Sequence, residues 1–148
     1  MIAASGRVPA PPGVVFVLLA DLSSHWRLID RWTQIADVSP DGRSATVRLR
    51  GPLGLRRTAQ TRVVVSRPPY ALEGEARVGP RTIGRVRWAL APDGDATLVV
   101  LSADVPAASP LDRALLALGA RRWLRSRFAD ALARLAAEAR AVHLEAAA

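Results

Sequence analysis

The sequence of 148 residues lacks cysteine and lysine and contains only two histidines, His25 and His143. Without cysteine there is no disulfide and no thiolate metal ligand, and two isolated histidines do not make a structural zinc site. The longest wholly apolar run, residues 14–20, is far shorter than the ~20 residues that span a bilayer, and no signal-peptide pattern opens the chain. We therefore expect a soluble, cytoplasmic protein with no metal ion and no cofactor.

The basic residues are all arginine, 21 in number, and the formal net charge is +8. Genomic base composition can impose such a bias, so it does not by itself indicate arginine-specific recognition. Residues 1–109 carry a net charge of +5 and residues 110–148 carry +3, so the charge is spread along the chain. Nucleic-acid-binding proteins more often concentrate basic residues in a stripe with interleaved aromatics, and we expect no specific nucleic-acid partner. The segment closest to that pattern surrounds Trp123 and contains Arg121, Arg122, Arg125 and Arg127.

A helix is predicted directly after a short first strand. Pro11 and Pro12 preset φ and fit a first helical turn, so the helix should run from there to about Asp21. Ser23 and Ser24 are good N-cap residues and predict a second short helix or turn cap over residues 22–29. Apolar and polar alternation with intervening turn residues predicts an antiparallel sheet of seven strands, over residues 2–8, 32–38, 46–50, 56–66, 70–78, 85–90 and 97–105. The last strand is apolar on both faces for much of its length and should be central or covered.

A long closing helix is predicted from Ser109, its N-cap, and Pro110, its first residue. At 100° per residue one apolar stripe forms, consisting of Leu111, Leu118, Phe128, Leu132, Leu135 and Ala139. Arg121 and Arg125 fall in the middle of this stripe, and a bend at Gly119 does not remove the conflict because both keep phase with the residues that follow. The Ala-rich end after about residue 143 is expected to fray.

Several short motifs follow one another in a recognisable order over residues 2–141. They are Ala10-Pro11-Pro12, Val15-Phe16, Leu18-Leu19, Asp21, Trp26, Trp32, Pro68-Pro69, Trp88, Leu90, Pro92-Asp93-Gly94 and Thr97, followed by the Arg/Leu/Ala-rich helix. The chain resembles the START-like (SRPBCC) superfamily, which includes polyketide cyclase/dehydrase-like proteins and small lipid-binding proteins. The resemblance implies an α+β helix-grip fold: a curved seven-stranded antiparallel sheet wrapped around a long C-terminal helix, with two short helices after strand 1. We expect one domain over residues 1–148.

The resemblance also implies an apolar cavity between the sheet and the closing helix. Inward positions of the strands would line it, and small inward groups such as Gly74 and Ala76 would leave room. A filled core without a ligand is the alternative. The ligand-binding residues that we predict are Trp26, Trp32, Leu49, Val63, Leu72, Trp88, Leu101, Leu118, Arg121 and Arg125.

Arg121 and Arg125 are the candidates for recognising a polar group of the ligand. A guanidinium at a cavity mouth can bind a carboxylate, phosphate or enolate through two hydrogen bonds. The alternative is that both arginines reach outward or pair with an acid such as Asp21 or Asp104. Trp26 and Trp32 could flank the entrance, although tryptophan is more often a packing residue.

Other candidate residues have simpler interpretations. Trp123 and Leu116 fall opposite the apolar stripe, where exposed apolar groups beside arginines suit a partner or an anionic membrane surface, but a packed neighbouring loop explains them equally well. His25 lacks an acidic partner in the sequence. Glu73 and Glu75 share the outer face of one strand and are expected to face solvent.

The leading hypothesis is a START-like protein that binds a hydrophobic molecule, a lipid, polyketide or isoprenoid with or without an anionic group, and does not change it. The alternatives are a polyketide cyclase/aromatase/dehydratase-like enzyme and an interaction protein that uses its basic surface on a membrane or macromolecule. An enzyme needs a proton shuttle, and the candidates for one are few: Arg121, Arg125, Ser102 and Tyr70. We assign no catalytic residue and expect a monomer or weak homodimer with at most transient contact to a membrane surface.

Overall fold

A computed structural model describes residues 2–20, 33–41, 43–50 and 56–147. The predicted second short helix, residues 22–29, lies outside these ranges. The elements in chain order are β1 (Ile2–Val8), α1 (Pro12–Ala20), β2 (Thr33–Val38), β3 (Ser44–Arg50), β4 (Arg56–Arg67), β5 (Ala71–Val78), β6 (Thr82–Asp93), β7 (Ala96–Ala107), α2 (Pro110–Leu115), the π-helical segment Leu116–Ala120 and α3 (Arg121–Ala147).

The first helix begins where the two prolines predict. Pro12 is the first residue of α1, and the carbonyl of Pro11 accepts hydrogen bonds from the N–H groups of Val14 and Val15 at 3.1 and 3.2 Å. The helix then buries Val15, Phe16 and Leu19 in the core. The buried hydroxyl of Thr97 on β7 donates a hydrogen bond to the Ala10 carbonyl at 2.7 Å and so ties the start of α1 to the sheet.

The sheet has seven antiparallel strands in the order β1-β7-β6-β5-β4-β3-β2. Consecutive strands from β2 to β7 pair as neighbours, and β1 pairs with the last strand, with Ile2 opposite Ala103 and Val8 opposite Thr97. Register shifts occur in β4 between Val63 and Val65 and in β6 between Ile83 and Arg85. Because such bulges bend the strand that carries them, these shifts contribute to the curvature of the sheet.

The core lies between one face of the sheet, α1 and the C-terminal part of α3. Leu72, Trp88 and Leu101 on the strands and Leu135 on α3 are at most 4% exposed. An added Cβ on Gly6 of β1 would lie 3.5 Å from the Leu132 Cβ, which shows that α3 packs directly on this edge of the sheet. The α+β helix-grip fold that the sequence predicts is confirmed.

The closing helix begins as predicted. Ser109 is the N-cap, its hydroxyl accepts a hydrogen bond from the Asp112 N–H, and Pro110 occupies the first turn. The helix is interrupted at Gly119, where φ is +118° and regular α-helical geometry gives way to a π-helical turn. Although α3 spans 27 residues, neither it nor another helix in the described part of the chain is long and apolar enough to cross a membrane.

The predicted apolar stripe is correct only in its C-terminal half. Leu132, Leu135 and Ala139 are buried, whereas Leu111 is 56% exposed and Leu118 is 85% exposed. The prediction that Leu118 faces inward is therefore wrong. The stripe assumes one continuous α-helix at 100° per residue, but the helix is interrupted at Gly119 by a π-helical turn, so the side that meets the sheet can differ before and after this point.

The prediction for the last strand is correct in part. β7 lies inside the sheet between β1 and β6, as its apolar composition indicates. Its outer face is not covered, because Leu98 and Val100 are 44% and 36% exposed.

Replacement of Leu135, which is fully buried, by alanine should lower the free energy of unfolding by about 2–5 kcal/mol, because it removes packed atoms and leaves a cavity. The matched substitution Leu111→Ala removes the same atoms from an exposed site and should change stability by less than about 0.5 kcal/mol. Urea unfolding followed by circular dichroism measures both. Equal losses in the two variants would contradict the described packing of α3.

Candidate functional site

A cavity of about 320 Å³ lies between the inner face of the sheet and the helical segments that follow it. Apolar side chains form most of its wall. From the strands they are Ile2, Leu49, Ala59, Val63, Leu72, Ala76, Val78, Val86, Trp88, Leu101, Ala103 and Val105, and from the helical segments Leu115, Leu116, Ala120, Trp123, Leu124, Phe128 and Ala131.

Small residues at the centre of the sheet leave the space open. Gly74 and Ala76 on β5 pair with Val86 and Gly84 on β6, so three of these four paired positions carry at most a methyl group. All four residues line the cavity. The strands therefore lack the bulk there that would fill the space under the N-terminal turns of α3.

Five of the predicted site residues line the cavity, namely Leu49, Val63, Leu72, Trp88 and Leu101. Leu118 does not, since its side chain points to solvent. Arg121 and Arg125 are also exposed and are absent from the lining. Trp26 and Trp32 lie outside the described residues.

The side of the helix that faces the cavity is not the one that the stripe predicts. Trp123 and Leu116, which the stripe places on the far side, line the cavity together with Leu124 and Arg127. Arg121 and Arg125 instead lie on the same side of α3 as Leu132. That leucine, which lies closer to the C-terminus, contacts β1. The conflict between two arginines and an apolar stripe is thereby resolved, because this part of the stripe is at the surface.

A buried carboxylate holds one end of the cavity wall together. Asp112 on α2 is 6% exposed and accepts hydrogen bonds from the Arg57 guanidinium and the Thr82 hydroxyl. The Ser109 hydroxyl lies 2.9 Å from the same carboxylate, and the Ser109 N–H donates to the Thr82 hydroxyl at 3.1 Å. The network thus joins α2 to β4 and β6.

Burial raises the pKa of the Asp112 carboxyl, but the hydrogen bonds from Arg57, Thr82 and Ser109 outweigh this effect, and the pKa lies below its ordinary value of 3.8. The group is ionised at neutral pH, and both oxygens are engaged. It is therefore a structural anion rather than a proton donor or acceptor.

Sequence reasoning missed this network, although two signals for it were available. Arg57 stands two residues before Ala59 and so belongs to the inward face of its strand. Ser109 and Asp112 have the spacing of a capping box, with aspartate in place of the usual glutamate. Neither signal alone could reveal that the arginine and the aspartate meet.

Arg127 is the second polar group in the wall that the sequence did not single out. Its Nε is buried and has no hydrogen-bond partner. Its Nη1 lies 3.6 Å from an Asp130 carboxylate oxygen, and its Cζ lies 5.5 Å from the centre of the Trp123 ring. A cationic side chain with a free buried donor therefore borders a largely apolar space.

The two glutamates of β5 take part in ion pairs with arginines of neighbouring positions. Glu75 lies 3.7 Å from Arg62 and 3.5 Å from Arg77, and Glu73 lies 3.4 Å from Arg87. Strand pairing brings these side chains together on the outer face of the sheet, where Glu75 on β5 is opposite Arg62 on β4. Both carboxylates balance arginine charge and do not form an acid–base pair.

The described cavity lining contains no histidine, cysteine or tyrosine. In the part of the chain that the structure covers, histidine, aspartate and glutamate side chains nowhere gather in a group of three that could hold a metal ion. Beside apolar side chains, hydroxyls and arginine donors, the lining includes the acidic residues Glu73, Glu75, Asp104 and Asp112. Such a wall is suited to holding and orienting a molecule.

The model of the family described as polyketide cyclase / dehydrase and lipid transport matches residues 2–140. The chain belongs to this family. Proteins of this polyketide cyclase / dehydrase and lipid transport family need not share one reaction, so membership defines the fold more closely than the ligand. No curated protein matches the chain.

Solved structures share the family fold with this chain. The protein TTHA0849 from Thermus thermophilus is 18% identical, with a TM-score of 0.74 over 95% of this chain and 97% of that one. A conserved protein from Geobacillus kaustophilus is 15% identical, with a TM-score of 0.69 over 93% of each chain. DynU16, described as a putative protein in the dynemicin biosynthetic locus, is 18% identical, with a TM-score of 0.59 over 91% of this chain and 45% of that one.

Replacement of Asp112 by asparagine should destabilise the protein by roughly 1–3 kcal/mol at pH 7, because Arg57 loses its charged partner. Since the pKa of Asp112 is lowered on folding, its contribution is complete above the ordinary value of 3.8 and is lost as the pH falls through the folded value. The stability difference between wild type and Asp112→Asn should therefore shrink below about pH 4 in urea titrations.

The control is Asp93→Asn, which removes the carboxylate of the exposed Arg7–Asp93 pair. It should change stability by less than about 1 kcal/mol at pH 7. A loss as large as that of Asp112→Asn would show that the buried network has no special role.

Proposed function

We propose that this protein binds a hydrophobic small molecule of the lipid, polyketide or isoprenoid class in the cavity and releases it unchanged. The apolar cavity of about 320 Å³ carries the proposal. Its size falls at the lower end of the 300–1,000 Å³ typical of small-molecule sites.

The binding energy would come mainly from the apolar wall. Each methylene group transferred from water into such a wall contributes about 0.8 kcal/mol, so a chain of eight to ten carbons gains several kcal/mol even after its loss of freedom. Trp88, Phe128 and Trp123 provide the broadest apolar surfaces among the lining residues. Flat or linear guests of this size would make close contact with them.

Arg127 supports a ligand with one anionic or strongly accepting group. Its buried Nε has no partner, and an unsatisfied buried donor costs about 1–3 kcal/mol. A ligand carboxylate next to Trp123 would accept this hydrogen bond and pair with the guanidinium. In this proposal Arg127 takes the role for which the sequence suggested Arg121 and Arg125.

The wall gives less support to a cyclase-like reaction, although one similar structure comes from a biosynthetic locus. A general acid or base works best with a pKa near the operating pH. Asp112 has a lowered pKa and fully engaged oxygens, and Tyr70 is 55% exposed. Ser102 is not among the lining residues. Binding without chemistry is therefore the function that the geometry supports best.

Replacement of Ala76 by phenylalanine should weaken binding of decanoate or decanol at least tenfold, because the larger side chain occupies the space between β5 and α3. The matched control is Ala91→Phe, which adds the same group at an exposed position of β6. Isothermal titration calorimetry measures the affinities, and native mass spectrometry tests whether protein from its own host retains an apolar ligand. No binding to wild type, or equal binding to Ala76→Phe and wild type, would contradict the proposal.

Replacement of Arg127 by glutamine should weaken decanoate binding about tenfold and leave decanol binding within about threefold, since a charged hydrogen bond is worth about 1.5–3 kcal/mol. Arg125→Gln, an exposed substitution on the same helix, should alter neither affinity by more than about twofold. If decanol binds but Arg127→Gln does not discriminate, the anionic anchor is wrong while the cavity function stands. If Arg125→Gln shows the selective loss, the anchor is the residue that the sequence suggested.

A further inference from the structure

Apolar and arginine side chains share one exposed side of the helical segment before and at the start of α3. Leu111 and Leu118 are 56% and 85% exposed, and Ala114 and Ala117 beside them are exposed as well. Arg121, Arg122 and Arg125, which follow the interruption at Gly119, are all exposed too. We call these seven residues the leucine–arginine face.

The orientation of this face follows from what its inner side contacts. Asp112 must point inward to meet Arg57 and Thr82, and Leu115 and Leu116 line the cavity. Leu111 and Leu118 are seven residues apart, and their exposed fractions of 56% and 85% show that both side chains reach solvent. A single exposed leucine is ordinary. Two exposed leucines on this segment, of which Leu118 is 85% exposed and directly precedes Gly119, form an exposed apolar patch.

The charged side chains that this segment itself exposes have one sign. Arg113, Arg121, Arg122 and Arg125 are exposed, and Asp112 is the one acidic residue in the sequence from 110 to 125. Its carboxylate is buried and paired with Arg57, so it does not offset the arginines at the surface. The surface is both apolar and cationic.

We propose that the leucine–arginine face docks on the surface of an anionic lipid bilayer. Leu111 and Leu118 insert at the boundary between headgroups and acyl chains, and the arginines bind lipid phosphates, as in interfacial amphipathic helices. The long arginine side chains can reach the headgroups while their stems lie along apolar surface. This arrangement accounts for arginines and leucines that share one side of a helix.

Other partners match the face less well. Single-stranded nucleic acids stack on exposed aromatic rings, whereas the aromatic residue of this segment, Trp123, is partly buried and lines the cavity. A symmetric contact between two copies would bring the same arginines together, and like charges disfavour it. Anionic lipid provides both the negative charge and the apolar layer.

Docking would place one end of the cavity next to the bilayer, because Leu115, Leu116 and Ala120 on the inner side of the same segment line it. Membrane contact and ligand binding are separate properties, however. The proposal therefore stands or falls independently of whether the cavity holds a ligand.

The test is co-sedimentation of the full chain with vesicles of phosphatidylcholine alone and with about 30% phosphatidylglycerol. Wild type should bind the anionic vesicles at least tenfold more tightly, and binding should weaken steeply between about 50 and 300 mM salt. Leu118→Glu should reduce binding about tenfold. The triple variant Arg121→Gln, Arg122→Gln and Arg125→Gln should also reduce it at least tenfold, given roughly fivefold for each arginine.

Matched controls separate this face from net charge and general apolarity. Val17→Glu changes a 69% exposed residue on α1, and Arg48→Gln with Arg67→Gln and Arg81→Gln removes three exposed arginines elsewhere. Both controls should retain binding within about threefold. Equal binding to neutral and anionic vesicles, or equal losses in the triple variant and its control, would overturn the proposal. So would dimerisation of wild type in analytical ultracentrifugation that Leu118→Glu abolishes, since the face would then bind a second copy.

Discussion

One helix has to cover the apolar face of a curved seven-stranded sheet, and the rest of the structure depends on how far it succeeds. Over its C-terminal part α3 packs tightly, with Leu132, Leu135 and Ala139 buried against the edge that β1 and α1 provide. Toward its start the strands carry glycine and alanine and bend at two bulges, so the helix and the sheet separate. The core therefore forms where the helix and the sheet are in contact, and the cavity forms where they separate.

Where the helix and the sheet separate, polar contacts instead of apolar packing hold the two together. Asp112 binds Arg57 on β4 and Thr82 on β6, which holds α2 over the end of the sheet that α3 does not reach. With α2 anchored in this way, Leu115 and Leu116 line the cavity, while Leu111 and Leu118 are exposed. One buried carboxylate thus determines both the wall of the candidate ligand site and the exposed face that we propose for membranes. On the outer sheet face, by contrast, Glu73 and Glu75 pair with arginines at the surface.

Much of the fold could be predicted because it depends on short-range patterns. Pro11 and Pro12 predicted the start of α1, Ser109 predicted the cap of the closing helix, and period-two alternation predicted the strands. Five of the ten predicted site residues line the cavity for the same reason, since each lies on the inward side of its strand. The positions predicted for Arg121, Arg125 and Leu118 were wrong. Counting 100° per residue shows which residues share a side of a helix, but it does not show which side contacts the sheet. Arg57 and Asp112 are 55 residues apart, and no local pattern indicates that they pair.

The sequence by itself determined the elements, their order, the apolar character of the sheet's inner face and the resemblance to the family. Each of these depends on neighbouring residues or on a motif that can be read along the chain. Only the tertiary structure decided what the helices present to the sheet, where space remains, and which polar groups border it. Those properties depend on the interruption of the closing helix at Gly119 and on contacts between distant residues. For this reason Arg127, and not Arg121 or Arg125, stands at the cavity wall, while the two predicted arginines belong to the surface.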